Sequence, residues 1–401
     1  MDATPLNEAA VRDALRGVVD PELGDNIVDL GMVDDVKIGP GGEVVVRVAL
    51  TTPSCPLRGQ IKAEVMARAG ALAGVSAVDV VTSSMGPEQK AALMAKARWK
   101  ASQRAPKTTV PARARVLAVS SGKGGVGKSS VSVNLAAGLA ARGYTVGVLD
   151  ADIAGFSVPR MLGVSGQLEA TRDPDDPERK LIQPLVRPIG AGELRIVSMG
   201  FLAGEDDAVM WRGLMLNRAL QHFLEEVAWG DVDYLIVDMP PGTGDIQMGL
   251  ARMLPRTEVI VVTTPPVAAQ KVAARTADMA RKGYLRVAGV IENMSDFVCE
   301  HGTSYALFGS GGGARLAADV GVPLIGQIPL HPSVAAGGDA GQPVALDEGG
   351  PLAEAFDAIA ESVIATIAPV VAMDGCSVRL LERVEAAVAA RAPVAAETTT
   401  A

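Results

Sequence analysis

The chain has 401 residues, a formal net charge of −9 and 48% apolar residues, yet only 3% aromatic ones. That length suits about two or three domains of roughly 150 residues, with cores built of Val, Leu, Ile, Ala and Met rather than stacked rings. The acidic balance argues against a surface that traps nucleic acid or anionic lipid wholesale, and three scattered cysteines, Cys55, Cys299 and Cys376, are too few for a disulfide framework.

The first thirty residues carry Asp2, Glu8, Asp13, Asp20 and Glu22 and no basic-then-apolar pattern, so no signal peptide is expected. No apolar run is long enough to span a bilayer, and the expected location is cytoplasmic. Residues 7–18 have the spacing of a helix that Asp20-Pro21 ends. VDDVKIG and EVVVRVAL flank Pro40-Gly41-Gly42 as a hairpin. After TTPSCPL come a helix near 57–71 and a strand near 75–81. Residues 1–87 therefore read as a small α+β domain. Its Cys55 stands just before a helix, where the N-terminal dipole favours thiolate; the other reading is a buried, inert thiol. Residues 88–114, with no acid after Glu88, read as a basic helix and a Pro-containing linker, a solvated connector.

From Arg115 the sequence alternates buried strands with helices: RVLAVSS, a helix over 128–142, TVGVLDAD, YLIVDMPP, EVIVVTTP, a helix over 268–282, RVAGVIENMS and PLIGQIPL. Near-continuous Val, Ile and Leu strands separated by helices predict an α/β, doubly wound, mostly parallel sheet over 115–375. Within it, residues 169–179 (EATRDPDDPER) are polar and Pro-rich and read as an exposed loop. Residues 376–401 read as a short helix and a disordered tail.

Gly122-Lys123-Gly124-Gly125-Val126-Gly127-Lys128-Ser129-Ser130 follows a buried strand and opens a helix, the context in which the Walker A spacing has meaning. The glycines let backbone N–H groups surround phosphate oxygens. Lys128 reaches the β/γ-phosphates and Ser129 can ligate Mg²⁺. Asp150 and Asp152 follow one buried strand. Asp238 ends another, with a loop running on to Asp245.

Lys123, a second lysine inside the loop, makes this stretch resemble the deviant Walker class of MinD, ParA and the nitrogenase iron protein. The resemblance implies that Lys123 crosses a homodimer interface to the partner's nucleotide and that Asp152 positions the attacking water. It also implies that Asp150 lies in switch I near Mg²⁺ and that Asp238 holds Mg²⁺ through water. Over nearly its whole length to about residue 345 the chain further resembles the Mrp family of iron–sulfur cluster carrier ATPases, on GKGGVGKSSVSVNLA, LDADIAGFSVPRMLG, SMGF, MWRGLML, DYLIVDMPPGTGD, VIENMS, FGSGGG and GGDAGQP. That implies base recognition by Asn293 and by the loop at Pro329. DPELGDNIVDLGMV and LTTPSCPLRGQI resemble the small domain attached to many such proteins.

The pattern departs in one place that bears on function. Many members have Cys-x-x-Cys after the ENMS segment, whereas here Cys299-Glu300-His301-Gly302 lacks the second cysteine. Cys299 and His301 remain candidate ligands, two per subunit and four per dimer, for an iron–sulfur cluster or Zn²⁺; the alternative is a solvated surface segment. Leu214, and Ala154-Gly155-Phe156, also depart without a chemical reading, and Cys376 has no ligand spacing.

The expected function is an ATP- and Mg²⁺-dependent homodimeric ATPase passing iron–sulfur clusters to client apoproteins and assembly factors, without a membrane or specific nucleic-acid partner. The alternatives are a MinD/ParA-like positioning ATPase, for which the weak stripe Leu380, Leu381, Val384 and Val388 would be the anchor, and a single-metal (Zn) metallochaperone.

Overall fold

The computed structural model describes residues 6–20, 25–50, 58–152, 155–173, 176, 178–201, 213–242 and 244–370. Helix α1 (Glu8–Leu15) is opened by Asn7, whose side chain accepts from the Ala10 N–H at 2.9 Å. Strands β1 (Val33–Ile38) and β2 (Glu43–Leu50) form the antiparallel hairpin. Helix α2 (Arg58–Gly70) then crosses over, and β3 (Ala77–Ser84) pairs parallel to β2. The period-2 alternation of β2 puts Val44, Val46 and Val48 inward, against Val11 and Leu15 of α1 and Ile61 and Val65 of α2.

Helix α3 (Pro87–Arg104) is more than a solvated connector in its first half. Leu93 is buried in the small core, the Gln89 amide donates to Asp34 at 3.0 Å, and Lys96 donates to the Asp29 carbonyl. Leu93 and Lys96 lie three residues apart on one helix face, so a charged segment still has a docking stripe.

The larger region is an eight-stranded sheet. In chain order its first elements are β4 (Arg115–Ser121), α4 (Lys128–Ala141), β5 (Thr145–Asp150), α5 (Val158–Met161), β6 (Leu185–Ile189), β7 (Gly192–Ser198), α6 (Gly213–Glu226) and β8 (Tyr234–Asp238). There follow α7 (Asp245–Met253), β9 (Glu258–Thr263), α8 (Val267–Lys282), β10 (Arg286–Asn293), the short β11 (Phe297–Val298) and β12 (Ser304–Tyr305), α9 (Gly312–Val320), β13 (Leu324–Ile328), α10 (Pro332–Ala340) and α11 (Pro351–Ser362). The sheet order is β6-β7-β5-β8-β4-β9-β10-β13, parallel throughout except for the β6–β7 pair.

Helices α4 and α11 cover one face and α6, α7, α8 and α9 the other, each over its own aliphatic cluster. Sequence reading names six of the eight strands. The two it omits, β6 and β7, form one edge, where Pro188 is tolerated because an edge strand need not donate on its outer side. Of the stretch expected as a loop over 169–179, the first four residues form a strand instead: Glu169–Arg172 pairs antiparallel with Lys180–Gln183. The Gln183 amide donates to Thr171 at 2.7 Å, and Arg179 lies 3.6 Å from Asp173, so polar residues of the hairpin pair with one another. The stripe at 380–388, Cys376 and the tail lie outside the described residues. No helix among the described residues is long and apolar enough to cross a membrane.

Candidate functional site

In a parallel sheet all strand ends of one sense meet at one edge, and the sequence order makes this edge the place where ligands bind. Here β4, β5, β8, β10 and β13 end there on Ser121, Asp150, Asp238, Asn293 and Ile328.

The loop between β4 and α4 needs its glycines for two separate reasons. Gly127 has φ +78°, and a Cβ there would sit 2.1 Å from the Asn293 amide nitrogen; at Gly122 a Cβ would sit 2.5 Å from the Val272 carbonyl carbon of α8. The first glycine bends the loop onto β10 and the second lets it lie against α8. Asn293 then donates to the Val126 carbonyl at 2.9 Å. Lys123, Gly124 and Gly125 form the exposed crest, and Ser121 donates to the Lys123 carbonyl at 3.1 Å. Ser130 follows in the first turn of α4.

Lys128 is buried and donates to Asp238 Oδ2 at 2.7 Å and to Ser129 Oγ at 3.2 Å; its Nζ lies 3.8 Å from Asp152 Oδ2. Ser129 donates to the same Oδ2 at 2.6 Å. Asp238 Oδ1 accepts from Ser132 at 2.6 Å.

Asp150 makes a different set of contacts. Its Oδ1 accepts the Asp152 N–H at 3.1 Å, and its Oδ2 accepts the N–H groups of Ser157 and Val158 and the hydroxyl of Ser198, at 3.2, 3.3 and 3.1 Å. Both oxygens are thus engaged in bracing the loop after β5 and the start of α5. Burial, and then the charge of Asp238, push the Asp150 carboxyl up to about 7. Burial also raises Asp152, against the pull of Lys128.

Two buried carboxylates, Asp238 and Asp152, therefore face one buried ammonium. That excess of negative charge, with a hydroxyl and a carboxylate oxygen side by side on Ser129 and Asp238, fits a hard divalent cation. Among the described residues no three His, Cys, Asp and Glu side chains converge into a metal cage. Mg²⁺ suits such a place, since it takes one or two carboxylates and completes its shell with phosphate and water.

Asn293 and Pro329 are brought together, because Asn293 pairs in register with Ile328, whose carbonyl accepts both the N–H and the hydroxyl of Ser295, at 3.0 and 3.1 Å. Cys299 and His301 lie elsewhere, in the turn between β11 and β12. The Cys299 N–H donates to the Thr303 carbonyl at 3.0 Å, and the Gly302 N–H donates back to the Cys299 carbonyl at 2.8 Å. Hydrogen bonding by the backbone at His301, then at Thr303, lowers the Cys299 thiol toward thiolate. His301 is exposed, as are Val298, Tyr305, Leu307 and Phe308 around it. Cys55, Cys376, Ala154, and the side chains of Leu214 and Asp245 lie outside the described residues.

Two site residues, Ser132 and Ser198, escape sequence reading. Ser132 is three residues past Ser129 and so on the same helix face, a spacing that could have flagged it. Ser198 belongs to one of the two omitted strands.

Residues 112–364 match the family model of the NUBPL iron-transfer P-loop NTPases, and residues 8–80 match that of an iron–sulfur cluster assembly protein. The iron–sulfur cluster carrier protein of Mycobacterium leprae is 44% identical over 347 residues, covering 85% of this chain and 88% of that one. The protein of the same name from Synechocystis is 40% identical over 361 residues, covering 89% and 97%. A nucleotide-binding protein of Archaeoglobus fulgidus, solved with ADP, is 31% identical with a TM-score of 0.49, covering 60% of this chain and 91% of that one.

Proposed function

The chain belongs to the NUBPL iron-transfer P-loop NTPase family, and from that membership we propose that it is an ATPase carrying iron–sulfur clusters to client apoproteins, working as a homodimer. The observation that carries the nucleotide half is the hydrogen-bonded group of buried Lys128 and Asp238 with half-buried Ser129, at the foot of a glycine loop. Mg²⁺ would be held by Ser129 and Asp238 and supplies neutralisation of phosphate charge. With Lys128 already within 3.8 Å of Asp152, a γ-phosphate arriving at the ammonium comes close to the carboxylate that would orient water. Asp150 braces the loop that carries Asp152, so its part is to fix that carboxylate rather than to meet phosphate. Lys123, exposed on the crest, is free to reach a second subunit. Asn293 and Pro329 would flank the base.

The cluster is cargo, and Cys299 with His301 is its proposed seat. Each subunit offers two ligands on an exposed turn, so a two-fold dimer supplies four, the number a bridging cluster requires. The test is anaerobic reconstitution followed by transfer to an apoprotein acceptor, with and without Mg-ATP. ATP-dependent transfer of iron and sulfide supports the reading. Metal analysis that finds zinc and no sulfide would replace it with a single-ion chaperone.

A further inference from the structure

The carboxylate of Asp238 is fully buried and accepts from three groups, which divide sharply between its two oxygens. Lys128 and Ser129 both sit on Oδ2, at 2.7 and 2.6 Å; among the described residues Ser132 is the one side chain that sits on Oδ1, at 2.6 Å. Lys128 and Ser129 are the groups that must turn to phosphate and cation when Mg-nucleotide arrives. Ser132 comes from the second turn of α4, holds the other oxygen and is itself fully buried. Its Oγ also lies 3.1 Å from the Lys128 carbonyl, the usual back-bond of a serine within a helix. A hydroxyl has one proton, and the shorter contact is to the charged acceptor, so the proton belongs to Asp238.

We propose that Ser132 is the positioning residue of the magnesium site: it holds Asp238 by Oδ1 so that Oδ2 stays aimed at the cation after Lys128 and Ser129 have left it. This rests on the reading of Asp238 as the Mg²⁺-facing carboxylate. Without the hydroxyl, Oδ1 is a buried anionic oxygen with no donor among the contacts described above. The carboxylate is then free to rotate, and Oδ2 is no longer fixed where the cation binds. Groups that orient a metal-facing ligand are worth roughly 10–100-fold in metal affinity.

The experiment titrates MgCl₂ into protein equilibrated with a fluorescent ADP analogue and reads the Mg²⁺-dependent gain in nucleotide affinity, so that no turnover is needed. Ser132→Ala, a change that removes one atom from a packed helix, should raise the half-saturating free Mg²⁺ about tenfold. Its affinity for the analogue in EDTA should stay within about twofold of wild type, since the loop and Lys128 are intact. A general loosening of the fold would instead weaken both states together, and that result overturns the proposal, as does a Mg²⁺ titration identical to wild type. Asp238→Asn is run alongside: if it keeps the full Mg²⁺-dependent gain, the fault lies in the reading of Asp238 itself. If Asp238→Asn loses the gain and Ser132→Ala does not shift it, only the role of Ser132 falls.

Discussion

The phosphate end of the molecule and the Cys299 turn sit at opposite ends of one short stretch of chain, yet they are built on contrary principles. At the phosphate end Asp238 and Asp150 are fully buried, and every carboxylate oxygen has a donor, three on the first residue and four on the second. At the turn a two-residue strand pair carries a partly exposed cysteine and an exposed histidine among exposed Val298, Tyr305, Leu307 and Phe308. The contrast fits the task proposed for each region. Developing charge on a phosphate is stabilised best by groups that need not reorganise. A cargo that must be handed over needs ligands another protein can reach.

The sharpest way to break this comparison is at Lys128, the charge on which the buried end turns. Lys128→Ala should cut ATP hydrolysis by roughly 10²–10³-fold or more, by the yardstick of removing one preorganised donor. Circular dichroism should remain native, because the aliphatic sheet does not depend on this side chain; wild-type hydrolysis would remove the phosphate site from this loop. Asp152→Ala should act more selectively, slowing hydrolysis by roughly 10²-fold while retaining Mg-ATP affinity, since its proposed task concerns only the water. Equilibrium binding of labelled ATP checks this, and a large loss of affinity would reassign the residue. The two proteins can then be mixed. If Lys123 serves the partner's nucleotide, heterodimers of Lys123→Ala and Asp152→Ala subunits regain one good site, on the Lys123→Ala subunit. Isolated heterodimers as inactive as their parents would place the lysine's action in cis.

At the exposed end the expected effect is spectroscopic. Reconstituted protein should show charge-transfer absorption that Cys299→Ser removes and His301→Ala weakens, at about one cluster per dimer from four ligands. Persistence of the full chromophore in Cys299→Ser would clear this turn and turn attention to Cys55.

How much of this the sequence reveals depends on how local each feature is. The glycine loop, Lys128 and Ser129 are contiguous and flanked by a strand and a helix, so backbone geometry follows from residue type alone. The strand-end aspartates are legible for the same reason. What Asp150 does is not, because its brace includes Ser198, 48 residues away on β7, a strand whose charged Glu193 and Arg195 break up the apolar run that marks the other parallel strands. Ser132 is harder still: its partner lies 106 residues on, and a lone serine in a helix reads as filler until β8 is laid beside α4. In the small domain the alternating valines of β2 sufficed, since one face is core and the other is not. The strand at 169–172 stays hidden because its residues are polar, and composition alone cannot tell a paired polar strand from a loop.

The smallest predicted effect tests whether the two regions are truly separate. Adjacent residues at the end of β10 serve one each: Asn293 bonds the phosphate loop at Val126, while Glu292, fully buried, accepts the Gly313 N–H at the start of α9 and the Gln327 amide at 2.7 Å. The Cys299 turn runs from Asn293 to α9, so Glu292 fastens its far end. In Glu292→Gln the new amide can keep both contacts if Gln327 turns its own amide over, oxygen to nitrogen. What is lost is mainly the negative charge at a helix N-terminus, about 1 kcal/mol. Glu292→Ala removes both acceptors and should cost more, about 2–3 kcal/mol. In Glu292→Gln, amide exchange should quicken over residues 297–316, while nucleotide affinity stays within about twofold, because Asn293 faces the other way along an unbroken strand. A larger fall in nucleotide affinity would show that the buried site and the exposed turn share one anchor, and the division between them would have to be given up.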